Sequence, residues 1–225
     1  MSEGIPDKFN GYILPDGRCV AIEDADALFG IITERLQDRK EVCRILRGLA
    51  DDCLQSGLLT AALSYLEKTF SLTDDAQGRA GILLAAGCVL EKARDYPSAA
   101  ESYRAAFAYP KKKDETWYFL HNNLGYCMNQ LGEHAEAEEL CRAAIGIDSR
   151  RHNAYKNLGV ALEGLGRHVD AVHAYLAAGK LNPRDPRALE HLEALVVSHP
   201  AITGEIPDID LQIGNCRQAG RVVWQ

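Results

Sequence analysis

Two stretches of this sequence repeat one another, and that repetition limits the folds open to the chain. Asn123-Leu124-Gly125 recurs 34 residues later as Asn157-Leu158-Gly159. In both copies a second glycine stands seven residues after the first, a histidine follows two residues later, and an acidic residue followed by alanine stands two residues beyond it. Agreement at a fixed interval indicates stacked copies of one supersecondary unit, because a single unit cannot bury its apolar faces alone.

The spacing inside the last copy, residues 152–185, resembles that of the tetratricopeptide-repeat (TPR) family. Units of that family carry the pattern W-x2-L-G-x2-Y, then A-x3-F, and end in proline. The matching residues here are Tyr155, Leu158, Gly159, Leu162, Ala171, Tyr175, Ala178 and Pro183. The resemblance implies an all-α fold, a right-handed TPR-type helical-hairpin solenoid, with short β-like segments expected at both termini.

Three earlier copies fit the same pattern less completely. The copy at 118–151 has His121 at the tryptophan position and lacks the closing proline, and the copies at 80–113 and 43–76 are more degenerate. Together the four copies cover most of the chain. Their equivalent alanines are 37, 38 and 34 residues apart, so two of the connections must accommodate extra residues.

The residue types at helix contacts and turns support this interpretation. Small residues such as Gly159 recur where two helices must approach closely. Gly57, Gly132 and Gly166 fall between paired helices, where the chain adopts a left-handed conformation that glycine takes without steric cost. The second repeat has Arg94 at this position, so we expect its turn to differ.

Helices are also predicted at the borders of the repeats, which make up a solenoid domain over 43–198. Asp114 is a good N-cap, so the first helix of the third repeat should begin about one turn early. After the repeats, 186–198 predicts a capping helix that stops before Pro200. Before them, 25–37 predicts a helix that shields the first repeat.

Residues 1–42 and 199–225 lie outside the repeats. Within the first segment, 11–22 predicts a β-hairpin, because Pro15-Asp16-Gly17 is a turn signal between two β-prone runs. Within the second, 209–213 alternates apolar and polar residues, which predicts a strand-like or partly disordered tail. This tail could dock on the solenoid or pair with the N-terminal strands, remain free for a partner, or lie in the groove of the solenoid itself.

The TPR resemblance implies where a partner would bind. In that family the first helix of each unit lines a concave groove that commonly binds an extended peptide, and asparagines at the position of Asn123 and Asn157 often bond the peptide backbone. A side-chain amide suits this role, because it offers both donors and an acceptor. Carried over by position, the groove would be lined by Phe119, Asn122, Asn123, Tyr126, Asn153, Lys156, Asn157 and Arg187, and earlier in the chain by Arg44, Arg47 and Asp51.

Other roles are open for the same residues. The asparagines could face water or cap local carbonyls, and Phe119 and Tyr126 could pack between repeats. One TPR subclass grips a C-terminal carboxylate with lysines, asparagines and an arginine, but only one of the five matching positions here fits. The resemblance therefore implies a protein-binding adaptor or scaffold of another specificity. The alternative is a structural or regulatory subunit that binds through its convex face or solenoid ends, including a homo-oligomer formed through the C-terminal region.

The sequence predicts neither an enzyme nor a protein that holds a cofactor. It contains no nucleophile elbow, no phosphate-binding glycine loop and no dinucleotide fingerprint. Its histidines form no paired motif for a metal, and its seven cysteines include no Cys-x-x-Cys pair. We therefore expect no metal site and reduced, mostly buried cysteines.

Charge and hydropathy limit the remaining partners. A formal charge of −7 argues against binding of nucleic acid, because neutralising phosphates needs a basic surface. The single basic run, Lys111–Lys113, is interpreted as a solvated loop. No apolar run is long enough to cross a membrane, and the start lacks the charge and hydropathy of an export signal. The prediction is a cytoplasmic protein.

Overall fold

The computed structural model describes residues 11–13, 19–110, 114–206 and 208–221. Within these residues the chain forms one two-stranded sheet and twelve α-helices. They belong to two units, of which unit 1 contains Met1–Asp95 and Ala105–Pro110 and unit 2 contains Tyr96–Arg104 and Lys111–Gln225. The predicted all-α fold of helical hairpins is confirmed.

Most connections between the helices are short. Unit 1 contains β1 (Gly11–Ile13), β2 (Cys19–Ala21), α1 (Ala25–Arg35), α2 (Arg39–Gln55), α3 (Leu59–Leu72) and α4 (Ala76–Lys92). The next helix, α5 (Tyr96–Ala106), begins in unit 2 and ends in unit 1. Unit 2 continues with α6 (Glu115–Gln130), α7 (His134–Ile147), α8 (His152–Gly164), α9 (His168–Leu181), α10 (Arg187–Ser198), α11 (Ile202–Glu205) and α12 (Ile209–Arg221). The limits of the individual repeats and end regions stay predictions of the sequence.

Aspartates fix the starts of several helices. The Asp114 carboxylate accepts a hydrogen bond from the backbone N–H of Trp117 at 3.1 Å, so α6 begins early, as its sequence predicts. Asp24, Asp38 and Asp75 cap α1, α2 and α4 in the same way. Each cap satisfies a backbone donor that the helix cannot, which typically stabilises a protein by about 1 kcal/mol.

The core of unit 1 also secures its N-terminal sheet. Strands β1 and β2 pair antiparallel with Tyr12 opposite Val20, and the predicted turn residues 15–17 lie outside the described residues. The phenol of Tyr65, buried in α3, donates a 2.7 Å hydrogen bond to the carbonyl oxygen of Ile22. A buried hydroxyl needs such a partner, so this bond ties the chain after β2 to α3.

Close approach of helices in unit 2 depends on the small residues of the repeat. A Cβ atom at Gly125 would lie 2.9 Å from the sulfur of Cys141 on α7. A Cβ atom at Gly159 would collide with the ring of Tyr175, which is fully buried on α9. These two glycines let α6 pack on α7 and α8 on α9.

The turn of the second repeat does not differ from the others, so the prediction for Arg94 was wrong. Gly57, Gly132 and Gly166 have φ angles of 78°, 81° and 72°, and Arg94 has a φ of 60°. The N–H of Asp95 bonds the carbonyl oxygen of Leu90 at 3.0 Å, as the equivalent groups do in the other three turns. The hairpin geometry therefore overrides the steric preference of arginine, at a cost of about 1 kcal/mol.

The predicted C-terminal strand was also wrong, because residues 209–213 begin helix α12. Ile209, Ile213 and Cys216 are buried at helical spacing, whereas Leu211 is 62% exposed. The buried side of α12 packs on α9, where Cys216 lies beside Gly179. A short alternation of three apolar residues also contains the i, i+4 spacing of a helix, and burial against α9 selects the helix.

Candidate protein-binding face

The eight residues predicted to line a groove all lie in unit 2, on three neighbouring helices. They are distributed as follows: Phe119, Asn122, Asn123 and Tyr126 on α6, Asn153, Lys156 and Asn157 on α8, and Arg187 at the start of α10. We call the side of unit 2 formed by Tyr126, Asn153, Lys156 and Arg187 the A-face. Four of the eight predicted residues therefore form the A-face, and the other four pack beneath or beside it.

Two of the predicted asparagines are structural. Asn157 is 3% exposed and Asn122 is 6% exposed. The amide nitrogen of Asn157 donates to the side-chain oxygen of Asn122 at 3.1 Å, and Asn122 donates in turn to Asn123 at 2.9 Å. Buried amides must be paired in this way, so they join α6 to α8 and are not presented to a ligand.

A third asparagine, Asn129, belongs to the same network and was not predicted. Its side-chain nitrogen donates a 2.8 Å hydrogen bond to the backbone carbonyl oxygen of Asn157, and its side-chain oxygen lies 3.2 Å from Nδ1 of His134. Asn129 is 8% exposed. Asn129 lies one helical turn before Gly132, at the hairpin turn of the third repeat. A polar residue beside an apolar stripe was the sequence signal that could have indicated its buried role.

Tyr126 is the aromatic centre of the A-face. Its ring meets the ring of Tyr96 edge to face, with centroids 5.9 Å apart, and the ammonium of Lys156 lies 5.7 Å from the centre of the Tyr126 ring. All three side chains are half-buried. Rings and cations held in this way offer a large contact area at a small cost in side-chain entropy. Tyr96, at the start of α5, was not among the predicted residues.

An ion pair fixes the cationic end of the A-face. The guanidinium of Arg187 bonds both oxygens of Asp185, at 2.8 and 2.5 Å, and also approaches the side-chain oxygen of Asn153 at 3.4 Å. Asp185 also bonds Nε2 of His152 at 2.9 Å. The hydrogen bonds from Arg187 hold the pKa of Asp185 well below its usual range, although partial burial opposes them. Arg187 is therefore oriented while its side chain remains 56% exposed.

Phe119 packs between helices and stands apart from Tyr126. It contacts Tyr118 edge to face, with centroids 5.4 Å apart, and the guanidinium of Arg151 lies 5.0 Å from its ring centre. Arg151 is itself bound to Glu115 and Asp148. This arrangement matches the packing role that the sequence left open for Phe119, and a peptide-contacting role stays untested.

The described part of the chain can be compared with the expectation of no metal site and buried cysteines. No group of three or more histidine, cysteine, aspartate or glutamate side chains there could hold a metal ion. Burial raises the pKa of the Cys141 thiol to about 12, so this cysteine is a small apolar packing residue. Within the same residues no helix is long and apolar enough to span a membrane.

A family model matches the central part of the chain. The model described as tetratricopeptide repeat matches residues 84–152, from within α4 to the start of α8. Residues 84–152 are therefore tetratricopeptide-repeat sequence. The match includes Asn122, Asn123 and Tyr126 of α6, so part of the A-face lies on matched repeat sequence. No curated protein matches the sequence of this chain.

Solved structures share the fold of this chain over most of its length. MamA from Desulfovibrio magneticus RS-1, from residue 41 to its end, is 17% identical with a TM-score of 0.63, covering 81% of this chain and 97% of that one. Another crystal structure of MamA is 18% identical with a TM-score of 0.62, covering 81% of this chain and 96% of that one. At such low identity the similarity shows the fold alone.

Proposed function

We propose that the chain is a protein-binding scaffold that holds a segment of a partner on the A-face of unit 2. The observation that carries the proposal is the setting of Tyr126, half-buried between Tyr96 and Lys156, with the oriented cation Arg187 nearby. Rigid aromatic groups beside hydrogen-bond donors are the usual anchors of protein interfaces. The scaffold works by binding, and no catalytic step is part of the proposal.

The roles of the eight predicted residues differ under this proposal. Tyr126 is the anchor, and Lys156, Asn153 and Arg187 donate or accept hydrogen bonds at its sides. Asn123 is half-buried beside them and links the buried amides to Tyr103, to whose hydroxyl its nitrogen lies 3.5 Å away. The buried pair Asn122 and Asn157 supports the face from beneath and keeps α6 and α8 in register.

The proposal is tested by quantitative capture of partners. Wild-type chain and the variants Tyr126→Ala and Lys156→Glu are immobilised, and proteins from the native cell extract are compared by mass spectrometry. We expect at least one specific partner to lose about tenfold in recovery with both variants, as loss of an anchor predicts. Arg142→Ala and His173→Ala are the matched controls, since both residues are exposed on α7 and α9.

The proposal fails if both A-face variants capture the same proteins as the wild type. Circular dichroism melts of each variant show whether a loss arises from unfolding. Lys156→Glu is informative even if Tyr126→Ala destabilises the chain, because it reverses a charge without removing a packed ring. Its failure to alter any partner would by itself count against the A-face.

A second candidate is a subunit that assembles through the C-terminal end of unit 2. Val197 of α10 is 79% exposed and Leu211 of α12 is 62% exposed, and exposed aliphatic side chains favour an interface. Sizing chromatography distinguishes this candidate. A stable oligomer that Leu211→Asp dissociates would support it, whereas a monomer at micromolar concentration would contradict it.

A further inference from the structure

Helix α12 packs against α9 and α10 and is the last described element of unit 2. Its buried residues recur at helical spacing, and its other side faces solvent, with Leu211 62% exposed. A helix of 13 residues is marginal in water by itself, so α12 depends on the surface beneath it. We call that surface, on α9, α10 and the connection between them, the α12 seat. It includes Gly179, Pro183 and Glu193.

The α12 seat fits the sequence of α12 in both shape and charge. A Cβ atom at Gly220 would collide with the backbone carbonyl oxygen of Pro183, so the end of α12 needs a glycine at this point. One turn earlier, the guanidinium of Arg217 forms a 2.6 Å ion pair with Glu193 of α10. A helix without a small residue and a cation at these two positions would fit the seat less well. The seat therefore favours a copy of α12 over other amphipathic helices.

The connection into α12 is short and strained. Helix α11 ends at Glu205, Ile206 is buried, and α12 begins at Ile209. Asp208, immediately before α12, has a φ of 60°, in the left-handed region that side chains disfavour. Aspartate tolerates this region better than most residues, but only glycine adopts it without steric cost. Straightening the connection would release the strain, and short strained hinges favour the exchange of an element between copies.

We infer that α12 leaves its own chain at high concentration and occupies the α12 seat of a second copy, whose α12 does the same in return. Each seat of this dimer holds the same side chains as in the monomer, so α12 loses no contact. The dimer also relaxes two strained hinges at Asp208, which offsets part of the cost of association. The partner is thus a second copy of this chain. The inference uses no residue of the A-face and does not require assembly through the exposed Val197 and Leu211.

A disulfide across the α12 seat records which chain supplied the helix. A Cβ atom at Gly179 would lie 3.6 Å from the sulfur of Cys216, so the Gly179→Cys variant brings a second thiol within reach of Cys216. Two full-length forms of this variant, which differ by a tag, are mixed, incubated at micromolar or millimolar concentration, then diluted and oxidised at once. On a non-reducing gel, a bond inside one chain gives a monomer, and exchange gives dimers that include one with both forms. We expect at least about tenfold more linked dimer after the millimolar incubation, by mass action.

Further substitutions distinguish exchange of α12 from other kinds of association. Asp208→Gly removes the strain from the monomer and should lower the amount of linked dimer about tenfold, because a dimer relaxes two hinges and each contributes about threefold. Leu211→Asp, on the exposed side of α12, should leave the amount of linked dimer unchanged. Cys216→Ser, added to Gly179→Cys, should abolish the linked dimer, because the seat then lacks its second thiol.

The inference is overturned if the disulfide stays inside one chain after both incubations, or if the linked dimer persists with Cys216→Ser. Loss of the dimer with Leu211→Asp would also overturn it and assign the association to the exposed side of α12. If the Gly179→Cys variant forms no disulfide, sizing chromatography of the unsubstituted chain at millimolar concentration decides. A dimer there that Asp208→Gly weakens supports the inference, and a monomer overturns it. None of these results alters the capture experiment on the A-face, because immobilised chains are compared there.

Discussion

Asn157 shows what a repeat pattern leaves open about a single residue. The pattern assigns it to the inner side of a first helix, where the family often contacts a ligand. The structure buries its amide against Asn122 and Asn129. Sequence position fixes the side of a helix but not how closely the next helix covers it, so its burial could not be predicted.

Replacing Asn157 should therefore affect stability before it affects binding. Asn157→Ala removes a buried donor and leaves the Asn122 oxygen without this partner, so we expect the free energy of unfolding to fall by about 1–3 kcal/mol. Asn153→Ala, on the same helix but half-exposed, should change it by less than about 0.5 kcal/mol. Urea denaturation followed by circular dichroism measures both, and equal effects would contradict a structural role for Asn157.

Arg94 provides a test of the turn geometry. Because it adopts a left-handed conformation that glycine takes freely, Arg94→Gly should raise the free energy of unfolding by a few tenths to about 1 kcal/mol, after the entropy of glycine is counted. Thermal denaturation of the two proteins measures the difference. Gly132→Arg, in the equivalent turn, should lower stability. A destabilised Arg94→Gly protein would show that the arginine side chain makes a contact worth more than the strain.

For single helices and turns, the sequence was sufficient to predict the structure where one residue type determines it. Asp114 caps α6, and the glycines of three hairpins adopt positive φ angles as predicted. A pattern of apolar and polar residues over a short segment was not sufficient to predict its secondary structure. The 209–213 segment satisfied the periods of both strand and helix, and only its packing on α9 distinguishes them.

The two faces of α12 can be compared directly. Ile213→Asp places a charge in the contact with α9 and should destabilise unit 2 by several kcal/mol, about 3 or more. Leu211→Asp, on the exposed face of the same helix, should cost less than about 0.5 kcal/mol. If hydrogen exchange shows the same loss of protection in α9 for both variants, α12 does not pack as described.

For the whole molecule, the repeat was the strongest predictor, because four weak matches at a common period reinforce one another. It predicted the helical hairpins. It did not predict the aromatic contact of Tyr126 with Tyr96, because Tyr96 belongs to another repeat. Contacts between the repeats of such a protein depend on how successive repeats pack. They cannot be predicted from the sequence pattern of a single repeat.

Binding of a partner segment to the A-face can be tested by site-specific photo-cross-linking. p-Benzoylphenylalanine is placed at position 126, on the A-face, and separately at position 173, on the exposed side of α9, and the chain is irradiated in its native cell extract. We expect cross-links from position 126 to an extended segment of a particular partner, with none to that segment from position 173. Cross-links to the same segment from position 173 alone, or equally from both positions, would contradict it.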